Sequence, residues 1–157
     1  MIEKLPAIKC VTSPGRALLL CLLAAALLLC EAHAQSAEPT MVAIAHPATS
    51  EEAIPRASLR AIFGMLLQRW PGNTPVKVFV LKDDAPEHGT FSKSVLQVFP
   101  HQLRMAWDRQ VFSGQGQYPE QVGSSEEMLS RVASTPGAMG YVRASEVNQN
   151  VRVLKIR

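Results

Sequence analysis

Beyond Cys30 the chain has no cysteine, since all three, Cys10, Cys21 and Cys30, precede Glu31. Everything downstream is therefore without a disulfide framework, a thiolate metal ligand or a cysteine nucleophile. An excess of one charge is missing too: 16 basic residues against 13 acidic ones leave +3, and the signs are interspersed. No basic arm or stripe offers itself to nucleic acid. There is no G-x-S-x-G, no H-E-x-x-H and no Walker loop, so none of the recognisable catalytic or nucleotide-binding loops is present. His46, His88 and His101 are too widely spaced for a zinc pair. The reading that follows is of a non-enzyme with no cofactor and no bound metal.

Long apolar runs are also lacking, except at the start. Lys4, Lys9 and Arg16 precede the apolar stretch Ala17–Cys30, and Ala32-His33-Ala34 supplies a small-x-small cleavage pattern. This predicts a secretory signal peptide over residues 1–34 and a mature domain over residues 35–157. A transmembrane anchor is the competing reading. At about 1.5 Å per residue the run spans only roughly 21 Å, short of the roughly 30 Å hydrocarbon core. Lipidation at Cys30 is disfavoured because Leu29 is not small. The mature domain is then periplasmic, without stable membrane insertion, and long enough to bury a single core without crosslinks.

Along that domain, Met41–Ala45 reads as a buried strand stopped by His46-Pro47. Leu59, Ile62, Phe63, Leu66 and Leu67 follow helical spacing behind Ser58 as N-cap, with Gly64 either inside the helix or ending its first part. Trp70–Pro75 is a turn, and Val76–Leu81 is the next strand. The opening thus predicts a βαβ unit with parallel neighbours. Phe91, Val95, Val98 and Phe99 line a second helix, and Pro100 opens a third that carries Leu103, Trp107 and Val111. Ser113–Gly123 reads as a loop, either a surface loop or a ligand-facing one. Ser124-x-x-Glu127 is a capping-box signal for a fourth helix bearing Met128, Leu129, Val132 and Ala133. Pro136-Gly137 suits a tight turn into the strand Ala138–Val142, in which Gly140 marks a close approach of another element. Val151–Ile156 is a fourth strand. The pattern is one α/β domain of about four strands and four helices.

Gly89-Thr90, ahead of Phe91, is the best anion candidate on physical grounds, because free N–H groups at a helix N-terminus favour negative charge. Ser92 and Ser94 add hydroxyls, and Lys82 and Lys93 add charge; Asp83, Asp84 and Glu87 oppose it. The competing role for Thr90 is plain helix capping. Trp70, Trp107 and Tyr118 form either an aromatic ligand patch or core and loop anchors.

Several segments, in order, carry a resemblance: LRAIFGMLLQRWPGNTPVKVFVL, then HGTF, the helix with Trp107, VFSGQG, and EEMLSRVASTPGAMGYV. From Met41 to Val142 the chain resembles the phosphate-binding proteins of ABC transporters, in the manner of small single-lobe relatives. The resemblance implies a three-layer lobe of the type II periplasmic-binding-protein fold. It also implies an oxyanion site at Lys82, His88, Gly89, Thr90 and Ser92, where the family carries an Arg-x-Asp-Gly-Ser-Gly-Thr run. Here Lys82 replaces the arginine and His88 a serine, and the loop is longer. Two functions follow: an exported solute-binding domain for phosphate or a related oxyanion, or an envelope adaptor that uses the half-cleft to bind an envelope protein or transporter subunit.

Overall fold

Seven strands and four α-helices occupy residues 39–157, the part of the chain that the computed structural model describes; the segment over residues 1–34 expected to be a signal peptide lies outside the described residues. In chain order they are β1 (Met41–Ala45), β2 (Ala53–Ile54), α1 (Arg56–Phe63), β3 (Lys77–Leu81), α2 (Pro86–Thr90), α3 (Pro100–Phe112), β4 (Glu120–Val122), α4 (Ser125–Ser134), β5 (Ala138–Arg143), β6 (Arg152–Val153) and β7 (Lys155–Ile156). A π-helical turn, Phe91–Leu96, continues α2 directly.

The main sheet has five strands in the order β4-β3-β5-β1-β6. β3 runs parallel to both β4 and β5, whereas β1 is antiparallel to β5 and β6. The βαβ expectation is therefore corrected. β5 comes between β1 and β3, and β1 runs against both. Five apolar residues specify burial on both faces but not a neighbour, so the local pattern was silent on this pairing. The expected last strand is also two strands: β6 joins the main sheet, and β7 pairs in parallel with β2 in a separate ribbon.

Alternation along β5 divides the core into two layers. Gly140 faces α4, where an added Cβ would come within 2.4 Å of Met128 Sδ and 3.1 Å of Val132 Cγ2. Tyr141 faces the other way. Its ring stacks on Phe91 at 4.1 Å between centroids, and Phe63 packs edge-on to Phe91 at 4.9 Å. Helices thus cover both faces of the sheet, giving three layers. Burying each aromatic of this layer contributes about 1.5–3 kcal/mol relative to exposure.

Local chemistry sets the ends of the helices. α1 begins at Arg56 behind Pro55, two residues before the expected cap at Ser58, and stops at Gly64, where Gly64 N–H donates to Arg60 O and Met65 N–H to Ile62 O. Met65 then takes a left-handed φ of 60°, so Leu66 and Leu67 swing out and are exposed rather than completing the apolar stripe. The Phe63 carbonyl that the helix leaves open accepts the Trp107 indole N–H at 2.7 Å, which ties α3 to α1. At α4 the expected cap forms: Ser124 Oγ accepts Glu127 N–H at 3.1 Å, and the Glu127 carboxylate reaches back to Gly123 N–H at 2.7 Å. The turn at Gly137 is left-handed, with φ of 76°. Its carbonyl accepts both the Trp70 indole N–H at 3.0 Å and Lys77 N–H at 3.2 Å.

Candidate functional site

The parallel strands β3, β4 and β5 end on one side of the sheet, and loops beyond the carboxyl ends of parallel strands are where open α/β sheets bind ligands. Lys82 leaves β3 there, exposed and without an ion-pair partner among the described residues. Asp83 comes next. One of its oxygens, Oδ2, accepts both Nε of Arg104 at 2.8 Å and Nη2 at 2.5 Å. Two of the guanidinium's five N–H donors are used in this way; the rest bond no group among the described residues, and Asp83 Oδ1 accepts none.

Arg104 sits between two aromatic faces, 5.4 Å from the Trp107 ring and 5.5 Å from Tyr118. A cavity of about 350 Å³ opens there, lined by Arg104, Trp107, Tyr118, Pro119 and Gln121. The Tyr118 hydroxyl donates to Asp108 Oδ1 at 2.8 Å, and that bond raises its pKa above the usual phenol value. The other arginine at these strand ends, Arg143, is occupied by Glu87 and by Glu146. Sequence reasoning missed Arg104. Its one signal was a position one turn before Trp107 on α3, which any solvated helix face would also offer.

The expected helix N-terminus at Gly89 is corrected, because α2 starts three residues earlier, with Pro86 as its first helical residue and Ala85 as its cap. Gly89 N–H is committed to Ala85 O at 3.2 Å, and Thr90 Oγ1 donates to Pro86 O at 3.0 Å. Thr90 caps nothing, and these two residues present no helix-end amides. His88 and Ser92 instead lie inside the protein, at 1% and 0% exposure. The Tyr141 hydroxyl accepts Leu81 N–H at 2.9 Å and lies 2.7 Å from His88 Nδ1. Burial is the main influence on His88 and lowers its pKa below the usual imidazole value; Asp83 opposes this and Arg104 adds to it. Burial likewise pushes the Tyr141 phenol well above its usual value, although the Leu81 N–H pulls it back.

The three aromatics do not form one patch. Trp107 and Tyr118 flank Arg104, while Trp70 is spent on the Gly137 carbonyl elsewhere. The Ser113–Gly123 loop contains β4, which neither loop reading anticipated, and its Gly114–Pro119 stretch lines a larger cavity of about 730 Å³ with Arg69, Lys77 and Glu120. That cavity is the roomier one, but it lies against the start of β3, with Lys77 paired to Glu120. The smaller cavity has the guanidinium with unused donors, and we assign the candidate site to it. Among the described residues no group of three or more His, Cys, Asp or Glu side chains is placed to hold a metal, and no helix is long and apolar enough to cross a membrane.

The sequence matches no protein-family model and no curated protein. Solved structures do match by fold. A Clostridium perfringens protein described as a phosphate ABC transporter substrate-binding protein, solved with bound phosphate, superposes with a TM-score of 0.61 at 16% identity, covering 74% of this chain and 44% of its own. An ABC-type phosphate transport receptor from Vibrio cholerae gives 0.58 at 13%, covering 74% and 45%. PstS from Borrelia burgdorferi gives 0.58 at 15%, covering 74% and 47%. The chain spans less than half the length of these proteins. At such identities the likeness is one of architecture, and this chain shares the fold of the matched part, less than half, of these periplasmic-binding-protein structures.

Proposed function

We propose that the chain is an exported, non-catalytic solute-binding-protein-like module of residues 35–157, which takes phosphate or a related oxyanion in an open half-cleft as part of a transport system. The observation that carries this reading is the Arg104 guanidinium held by Asp83 at the ends of the parallel strands, with the exposed Lys82 next to Asp83 in the chain. A guanidinium with unused N–H donors binds an oxyanion through paired hydrogen bonds. The free oxygen of Asp83 accepts from a protonated oxyanion and so favours hydrogen phosphate over sulfate. The fold shared with a protein solved holding phosphate supports the same chemistry. Of the residues first considered, Lys82 remains a candidate cation on this reading, His88 and Ser92 are buried, and Gly89 and Thr90, with their N–H and hydroxyl bonded inside the helix, are not part of the proposed site.

The test is calorimetry together with thermal melts in phosphate, sulfate and chloride at matched ionic strength, because phosphate also stabilises proteins by exclusion. A specific site raises Tm with the logarithm of phosphate concentration beyond the sulfate control. Arg104→Ala and Lys82→Ala should each weaken binding at least severalfold. No heat at millimolar phosphate, and no difference between the anions, sinks the reading.

The second reading is an envelope adaptor, with another protein on the same half-cleft. Apolar side chains on and beside α3 favour it: Phe112 is 84% exposed, Met105 59% and Phe99 56%. Single exposed apolar residues are ordinary, whereas three on one helix and its entry are a sticky surface. Phe112→Asp would abolish partner capture on this reading and leave phosphate binding unchanged on the first.

A further inference from the structure

Tyr141 has a single hydroxyl proton, and its oxygen already accepts from Leu81 N–H. The proton is left to donate to His88 Nδ1, 2.7 Å away. Nδ1 is therefore the acceptor of the ring, and in the neutral imidazole the hydrogen sits on Nε2. That Nε2–H is buried and bonds nothing, and Ser92 Oγ is buried and bonds nothing either. The two residues are four apart in one continuous helical run, neighbours on one face. They make no direct hydrogen bond to each other. A buried polar group without a partner is costly, and two of them on one helical face favour a guest that satisfies both.

We infer that His88 Nε2–H and Ser92 Oγ form a built interior site for one oxygen atom, with Tyr141 as the residue that holds His88 in the donating tautomer. The guest is an oxygen acceptor that fits between a fixed N–H and a rotatable hydroxyl: a buried water or one oxygen of an oxyanion. The hydroxyl can turn to donate or accept, while the imidazole can only donate. The oxyanion arm rests on the phosphate reading above; the tautomer and the water do not.

Long-range ¹⁵N–¹H NMR of the purified protein reads the tautomer directly. At pH 7 His88 should be neutral with its proton on Nε2, and that proton should show exchange or Overhauser contact with water. Ser92→Ala should remove the water contact, and Tyr141→Phe, which frees Nδ1, should shift part of the population to the other tautomer. Titration with inorganic phosphate, against sulfate, separates the guests. A shift of the Nε2–H resonance that saturates with phosphate identifies an oxyanion oxygen, and a water contact indifferent to phosphate identifies a water. The second result, with no heat of phosphate binding, leaves this site standing and removes the phosphate reading. A proton on Nδ1, an imidazolium at pH 7, or a water contact that persists unchanged in Ser92→Ala overturns the inference.

Discussion

Replacing Gly137 with alanine puts the turn between α4 and β5 to a direct test. An ideal Cβ there would sit 2.3 Å from the Pro75 carbonyl oxygen and 3.3 Å from Thr74 Cγ2. The nearest atom is backbone and cannot swing aside. The residue also has φ of 76°, a region that costs an L-residue roughly 1–2 kcal/mol. Overpacking adds about 1–3 kcal/mol. Moving Pro75 away would loosen the two bonds that hold the turn, from Trp70 and Lys77 to Gly137 O. The expected loss is about 2–5 kcal/mol, a large share of the roughly 5–15 kcal/mol that a domain has. Gly140→Ala is the internal comparison. Its closest atom, Met128 Sδ at 2.4 Å, belongs to a flexible side chain, and its φ is not left-handed. Its cost should fall at the low end of about 1–3 kcal/mol, with Gly140→Val at the high end. Urea titration reads both from the midpoint at unchanged m. A Gly137→Ala loss under about 1 kcal/mol, or a Gly140→Ala loss larger than it, would refute the argument.

Other expectations follow from the same contacts. Trp107→Phe removes one ring of the buried indole and strands the Phe63 carbonyl, and should cost at least about 1–3 kcal/mol, with the cavity adding to the lost bond; a midpoint equal to wild type would contradict both roles. His88 is held below its usual pKa of 6.5, so the unfolded chain takes up a proton before the folded one does. Stability is then complete above about pH 6.5 and falls, by up to about 1.4 kcal/mol per pH unit, as pH drops towards the folded-state value. Urea midpoints between pH 8 and 5.5 should show that slope, and His88→Gln should flatten it; an equal slope in the variant assigns it to other groups. If residues 1–34 are a cleaved signal peptide, N-terminal sequencing of periplasmic protein should begin at Gln35, and an intact Met1 would contradict it.

Elements whose signals are local were legible from composition and spacing. α3 announces itself by Pro100 and the Leu103, Trp107 spacing, α4 by Ser124 and Glu127, and β5 by the Pro136-Gly137 turn before it. Gly140 reads correctly as a close approach because a glycine inside an otherwise apolar strand has few other uses. Features that depend on distant partners were not legible. β4 is three residues held by β3, with Glu120 bound to Lys77 and Arg131, and nothing in Glu120-Gln121-Val122 alone asks for a strand. The early end of α1 depends on Met65 taking a left-handed conformation that its side chain does not favour. At the site, Pro86 is an ordinary helix-start signal, but the acidic residues around it and Gly89 after it read as loop. Arg104 acquires meaning only through Asp83, twenty-one positions away.

The place of β1 governs the order in which this protein can assemble. Met41–Ala45 pairs with Met139–Arg143, near the other end of the domain. A chain that emerges N-terminus first therefore exposes five consecutive apolar residues from the outset and cannot seat them until β5 has followed. Such distant pairing slows folding, because a long loop must close before any contact repays it. During that interval β1 is a free, β-prone segment, open to any edge it meets. A chain cut short before Ala138 would never close its sheet, so proteolytic or translational truncation should yield an aggregating fragment in place of a smaller folded one.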